Sequence, residues 1–181
     1  MQYRRLPHIY PEDRALFFTW TLHGSLPTSR LPPPGSWKSG KAFLWTDRYL
    51  DSASKGPLWL GKPGPAEIVE AAILFGDREL KSYEVVAYVV MANHVHLLVW
   101  PRAHPSQFLR QLKGFTAREC NKLLGLTGQP FWQRESYDRW VRDERELQRI
   151  THYIEANPVR AGLAKTPEEF RWSSAWRRAN P

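Results

Sequence analysis

The sequence predicts an α+β fold: a ferredoxin-like sandwich, with an antiparallel sheet and helices mainly on one face. Three observations carry this. Its elements run strand–helix–strand–strand–helix–strand–helix. Tyr83–Val90 and His94–Trp100 are nearly continuous apolar runs split by a short turn, which suits a central hairpin with cover on one face. The segments 65–75 and 105–124 carry apolar residues at helical spacing.

Each element has its own local reason. Leu16–Leu22 is rich in aromatic and β-branched residues and reads as the first strand. Residues 23–64, with Pro32-Pro33-Pro34-Gly35 and scattered Gly, Ser and Lys, break the pattern. Such a long irregular stretch is unusual inside a compact domain and reads as a basic insertion holding a short helix near Asp47–Ser54. Pro65 suits the first turn of the next helix. Asn93 suits the turn between the two apolar strands. Gly125 and Gly128 end the helix that begins at Pro105. A fourth strand is expected within Phe131–Val141. In the segment 142–158, Asp143 caps a last helix and Glu146 completes a capping-box-like start. Leu147, Ile150 and Ile154 give that helix its buried face, and Asn157-Pro158 stops it. There are no repeats, and residues 1–181 are expected to form a single domain.

Composition narrows the function classes. With 42% hydrophobic and 24% charged residues, the chain has the balance of a globular protein. No apolar stretch approaches the roughly 18 residues a membrane span needs, so no membrane partner is expected. The opening Met-Gln-Tyr-Arg-Arg-Leu-Pro lacks an apolar run after its charges, so no signal peptide is expected. One cysteine, Cys120, excludes an intramolecular disulfide, fits a reducing compartment and is expected to pack on a helix. The net charge of +8 and pI near 9.8 favour partners rich in phosphate. Charge is concentrated in residues 1–64, with nine Lys/Arg against four Asp/Glu. The stretch 102–122 is the second focus, with five against one. Nine tryptophans permit base stacking, although packing accounts for aromatic residues equally well.

The chemistry centres on Met91-Ala92-Asn93-His94-Val95-His96. Strand side chains alternate, so His94 and His96 share a face, on the order of 7 Å apart. Two imidazoles at that reach can share a divalent cation, or can be a hydrogen-bonded core pair. Buried polar groups need one or the other. Tyr153 and Asn157 are four residues apart, which stacks a phenol and an amide on one side of the last helix. Read alone, they are a packed aromatic and a helix terminator.

Together these residues resemble one family. His94-Val95-His96 is similar to the His-hydrophobic-His motif of the HUH single-tyrosine transposases, the IS200-like group. Tyr153-Ile154-x-x-Asn157-Pro158 resembles the tyrosine helix of its REP-associated branch. Tyr3-Arg4-Arg5, Phe17-Phe18-Thr19, Lys113-Gly114-Phe115-Thr116-Ala117-Arg118, Phe131-Trp132-Gln133-Arg134, Tyr137-Asp138-Arg139 and Trp172-Ser173-Ser174 follow the family in order and spacing. Ala92 departs from it, because relatives usually carry proline there; the change touches strand entry and no ligand.

The resemblance implies the HUH endonuclease fold and metal-dependent nicking and joining of single-stranded, hairpin-containing DNA. It implies Mg²⁺ or Mn²⁺ on His94, His96 and Asn157, with Tyr153 as the nucleophile forming a 5′-phosphotyrosine. Arg4, Arg5, Arg110, Lys113 and Arg118, from the two basic stretches, are the expected phosphate contacts. The insertion would be a DNA-contacting lid or a surface decoration. Some family members exchange the tyrosine helix between subunits, so a homodimer is one expectation; REP-associated relatives act alone. The expected location is the prokaryotic cytoplasm, at the nucleoid. Two alternatives stay open. A hydrolytic metalloenzyme would need further His, Asp or Glu at ligand spacing, and none is expected to cluster with His94 and His96. A non-catalytic nucleic-acid-binding module would need aromatics where the histidines stand; one derived from a transposase would look similar to the enzyme, but here all three expected ligands and the nucleophile are present.

Overall fold

The structure, a computed structural model, describes residues 10–11, 13–26, 40–51 and 56–181. Its elements are β1 (Leu16–Thr21), α1 (Gly40–Asp51), α2 (Pro63–Arg78), β2 (Tyr83–Val90), β3 (His94–Pro101) and α3 (Pro105–Leu124). They continue with β4 (Tyr137–Trp140), α4 (Glu144–Glu155), α5 (Asn157–Arg160) and α6 (Ser174–Ala179). All strand pairs are antiparallel and the spatial order is β2-β3-β1-β4. This is the expected ferredoxin-like sheet.

Strand alternation sorts β1 and β3 into two faces. Leu16, Phe18 and Trp20 join Val95, Leu97 and Val99 in the core beneath α2 and α3. Phe17 and Leu98 join Ala87 and Val89 on the other face, against Ile154, Leu147, Ile150 and Tyr153 of α4. The two longest helices thus share one face and α4 takes the opposite one. The histidines lie in register with β1, His96 opposite Thr19 and His94 opposite Thr21, and so point towards α4.

The central placement expected for both apolar strands holds for β3 but not for β2, which lies at the sheet edge. Its apolar composition has another cause. The carboxyl-terminal tail covers the edge: Val90 N donates to the Trp172 carbonyl at 2.9 Å, and Val89 bridges Ser173. Covering an edge strand removes a template for unwanted pairing.

The helix ends follow their sequence signals. α2 begins at Pro63, with Pro65 also in its first turn. Gly125 closes α3 in the left-handed region at φ 70°, where residues other than glycine are strained. Cys120 packs on α3, its thiol 3.8 Å from the Pro65 carbonyl of α2, and burial pushes that thiol up to about 12. Asp143 caps α4 by accepting from Glu146 N at 2.8 Å. The reciprocal half of the box is displaced by one residue, since Glu146 accepts from Arg142 N and not from Asp143 N. Asn157 does not simply stop the chain. Ala156 ends α4, and Asn157-Pro158 opens the short α5, with proline in its favoured first turn.

Candidate active site

His94 and His96 are fully buried, with ring centroids 4.8 Å apart. His94 Nδ1 lies 2.7 Å from Asn93 Oδ1, an atom that can only accept. The proton is therefore on Nδ1, and Nε2 presents a bare lone pair. Among the described residues that Nε2 has no hydrogen-bond partner. Burial, then the neighbouring His96, brings His94 down to about 3, so the ring is neutral at physiological pH. Asn93 does more than turn the chain. It is buried, and its amide donates to the Leu50 carbonyl at 3.0 Å, tying β3 to α1. On His96, Nδ1 lies 2.7 Å from Thr19 Oγ1 of β1, which leaves Nε2 aimed at the same space. A hydroxyl can donate or accept, so Thr19 can serve either tautomer.

That space holds a carboxylate that sequence reasoning missed. Asp47 of α1 places Oδ1 3.0 Å from His96 Nε2 and 3.7 Å from His94 Nε2. Asp47, His94 and His96 offer ligand atoms within 4.8 Å of one another, and all three are buried. The expectation that no further acid clusters with the histidine pair is therefore overturned. Burial alone would raise the Asp47 carboxyl, but His96, His94 and the Tyr153 hydroxyl outweigh it and hold it well below the usual range. At α1 the insertion is more than a surface decoration, because this helix is built into the site.

Tyr153 and Asn157 arrive from α4 and α5. The Tyr153 hydroxyl donates to Asp47 Oδ2. Burial, then the charge of Asp47 and this bond, push the phenol well above its ordinary value. The amide of Asn157 is fully buried. Its satisfied orientation turns the oxygen to His96 Nε2 at 3.2 Å and Arg160 at 2.9 Å, and the nitrogen to Asp51 Oδ1 at 3.0 Å. Asp51, one turn after Asp47, also lies 3.7 Å from His94 Nε2. Burial and then Asp47 raise its carboxyl to about 7. Arg160 stands over the Tyr153 ring at 4.0 Å and 3.6 Å from Asp47 Oδ2.

The donor set fits a divalent cation. Two imidazole nitrogens, a carboxylate oxygen and an amide oxygen converge, and His94 Nε2 among them has no hydrogen-bond partner within the described residues. Mixed N and O donors are the chemistry of Mn²⁺-type sites, which also keep oxygen ligands from water or substrate.

The four residues expected to act together, His94, His96, Tyr153 and Asn157, are brought together. Three of the five expected phosphate contacts are not with them. Arg110, Lys113 and Arg118 lie on α3, across the sheet. Lys113 Nζ donates to the carbonyls of Gln133 (3.0 Å) and Arg134 (3.3 Å) and to Ser136 Oγ (2.8 Å), so it straps the segment before β4. Arg118 pairs with Glu119 and covers Phe115. Arg110 is exposed and, with Arg134, lines a cleft of about 240 Å³. Arg4 and Arg5 lie outside the described residues. His152 is exposed, facing away from the site, and His104 precedes the first turn of α3.

Thr19, Asp47, Asp51 and Arg160 were missed. The spacing of Asp47 and Asp51, four apart on an expected helix, was the available signal, but nothing in sequence tied that helix to β3.

Comparison with known proteins finds likenesses in sequence and in fold. Residues 73–157 match the model of the family described as transposase IS200 like. Part of this chain is similar to the IS200-like transposases. The matched segment holds both histidines, Tyr153 and Asn157, while Asp47, Asp51 and Arg160 lie outside it. A Haemophilus influenzae protein assigned as a REP-associated tyrosine transposase is 27% identical over 108 residues, covering 51% of this chain. The chain spans 58% of that relative's length. In fold, the chain resembles a REP-associated tyrosine transposase solved bound to a REP hairpin. The TM-score is 0.62 at 18% identity, covering 99% of this chain and 85% of that one. No helix among the described residues is long and apolar enough to cross a membrane.

Proposed function

We propose that this protein is a metal-dependent transposase that nicks and rejoins single-stranded DNA beside a hairpin, through a covalent bond to Tyr153. The observation that carries the reading is the convergence of Tyr153 Oη, His94 and His96 on one buried carboxylate, with the Asn157 oxygen beside His96. A lone tyrosine is a weak nucleophile with pKa about 10 and must lose its proton as it attacks. Asp47 Oδ2 already holds that proton's hydrogen bond.

His94 Nε2, His96 Nε2 and Asp47 Oδ1 would hold Mg²⁺ or Mn²⁺, with the Asn157 oxygen as a neutral fourth ligand. The bound cation would withdraw charge from the scissile phosphate and fix it for in-line attack. Asp47 would then bridge two tasks, one oxygen towards the cation and the other on the nucleophile. Asn93 and Thr19 would hold the imidazoles in orientation, as outer-shell partners of metal-bound histidines do. In the chemical step the Tyr153 Oη–P bond forms and the P–O3′ bond breaks. The electron pair leaves on the 3′ oxygen, which becomes a hydroxyl, and the product is a 5′-phosphotyrosine. Reversal with another 3′-hydroxyl rejoins the strand.

Asp47 also supplies the extra acid that a hydrolytic metalloenzyme would need. The products separate the two readings, because hydrolysis leaves no protein–DNA bond. Incubation with single-stranded hairpin DNA and Mn²⁺, followed by denaturing electrophoresis, should give a covalent adduct. Tyr153→Phe and chelator should each abolish it. Cleavage without adduct would favour hydrolysis, and adduct in the Phe variant would move the nucleophile elsewhere, with Tyr137 the next candidate.

A further inference from the structure

We propose that Arg160 is a catalytic residue of this site, the guanidinium that receives the scissile phosphodiester and balances the charge developing on it. The inference rests on the transposase reading above.

Four of the described residues of the site are buried. Asp47 is 1% exposed, and His94, His96 and Asn157 are fully buried. Arg160 is the contrast, with 41% of its side chain exposed. Its guanidinium lies 4.0 Å from the centre of the Tyr153 ring and 3.6 Å from Asp47 Oδ2, the oxygen that accepts the phenol's hydrogen bond. It is also 3.9 Å from Asp51 Oδ2. A phosphate reaching Tyr153 Oη from solvent therefore comes up against Arg160.

Local sequence explains the placement. Pro158 restarts the chain as α5, and positions three apart on a helical turn share a side. The Asn157 amide oxygen and the Arg160 guanidinium accordingly meet at 2.9 Å. That bond and a side-chain hydrogen bond with Tyr153 leave three of five N–H donors. The two carboxylates lie at ion-pair distance, beyond a normal hydrogen bond, and so aim the group without consuming its fork. Donors remain for a paired contact with phosphate oxygens, the geometry to which arginine is suited.

During attack, the Oη–P bond forms as the P–O3′ bond breaks, and the phenolic proton passes to Asp47 Oδ2. The nucleophile's electron pair adds negative charge over the non-bridging oxygens. A preorganised cation aimed there stabilises the transition state more than the ground state.

The test compares single-turnover adduct formation by the full-length, Mn²⁺-supplied protein on two hairpin oligonucleotides. One carries the natural scissile phosphodiester, at the position mapped from the wild-type product. The other carries a methylphosphonate there, in which a neutral methyl replaces one charged oxygen. Arg160→Ala should slow adduct formation about 100-fold or more on the diester, the scale of losing one oxyanion donor. Arg160→Lys should recover part of the rate. On the methylphosphonate the variant and wild type should come close to parity. If Arg160→Ala loses its folded state by circular dichroism, Arg160→Gln carries the same comparison. An equal loss on both substrates, or no loss on the diester, overturns the inference and leaves the transposase reading standing. Absence of adduct in wild-type protein on every hairpin overturns that reading and the inference with it.

Discussion

Tyr153 donates its phenolic hydrogen to Asp47, a residue 106 positions earlier in the chain. One end of that bond comes from the helix that carries the family resemblance. The other comes from an insertion that composition marks as irregular. The bond joins the candidate nucleophile to the only acid within ligand reach of both histidines among the described residues.

Asp47 should matter to the metal as much as the histidines do. His94→Ala, His96→Ala and Asp47→Asn should each weaken Mn²⁺ binding severely, measured by electron paramagnetic resonance of free Mn²⁺. Asn157→Ala should do less, because water can replace a neutral amide oxygen. Thr19→Val, which orients His96, should weaken binding on the order of 10-fold. Unchanged affinity in Asp47→Asn would remove Asp47 from the ligand set.

Asp51 should make the metal-free protein pH-sensitive. Burial, then the charge of Asp47, raises its carboxyl from 3.8 to about 7. Across that window the folded protein keeps a proton that the unfolded chain has released. Its contribution is therefore present at low pH and is lost as pH rises towards 7. Asp51→Asn abolishes this titration. Urea unfolding in chelator should show the variant gaining on wild type between about pH 4 and pH 7 and no further above that. His94 acts in the opposite sense, since burial lowers it to about 3, but it is common to both proteins and cancels. A constant difference across pH would contradict the assignment.

Lys113 should behave as a structural strap. Lys113→Ala leaves the carbonyls of Gln133 and Arg134 and the Ser136 hydroxyl without their donor. It should lower stability by about 1–3 kcal/mol while leaving the salt dependence of DNA binding intact. Arg110→Ala should leave stability unchanged and flatten the slope of log affinity against log salt by roughly 0.7. The same flattening in Lys113→Ala would restore its role as a phosphate contact.

Gly76→Ala should destabilise the fold although alanine is the better helix former. An added Cβ would run into the Tyr83 hydroxyl, which is buried and donates to the Ile73 carbonyl at 2.9 Å. Overpacking of this kind costs about 1–3 kcal/mol, against roughly 1 kcal/mol gained in helix propensity. A raised melting temperature in the variant would contradict this packing.

Local physics made much of this protein legible. Strand alternation places His94 and His96 on one face, and that face does meet the helix carrying Tyr153. Proline and glycine signals mark the ends of α3, and Asp143 caps α4 as its side chain predicts. Periodicity could not tell an edge strand from a central one. β2 is as apolar as β3 because the Trp172–Ser173 tail covers its edge, a contact spanning more than 80 residues.

The sequence by itself determined the elements, the fold class and the half of the site that lies within the family motifs. Those depend on spacings of two, three or four residues, which backbone geometry converts directly into shared faces. Only the tertiary structure decided that α1 delivers Asp47 and Asp51 to the histidines, that Arg160 stands over Tyr153, and that Lys113 is already engaged. Side chains far apart in sequence meet because the core buries the surfaces between them. No local rule encodes which acid then fills the space beside two buried imidazoles.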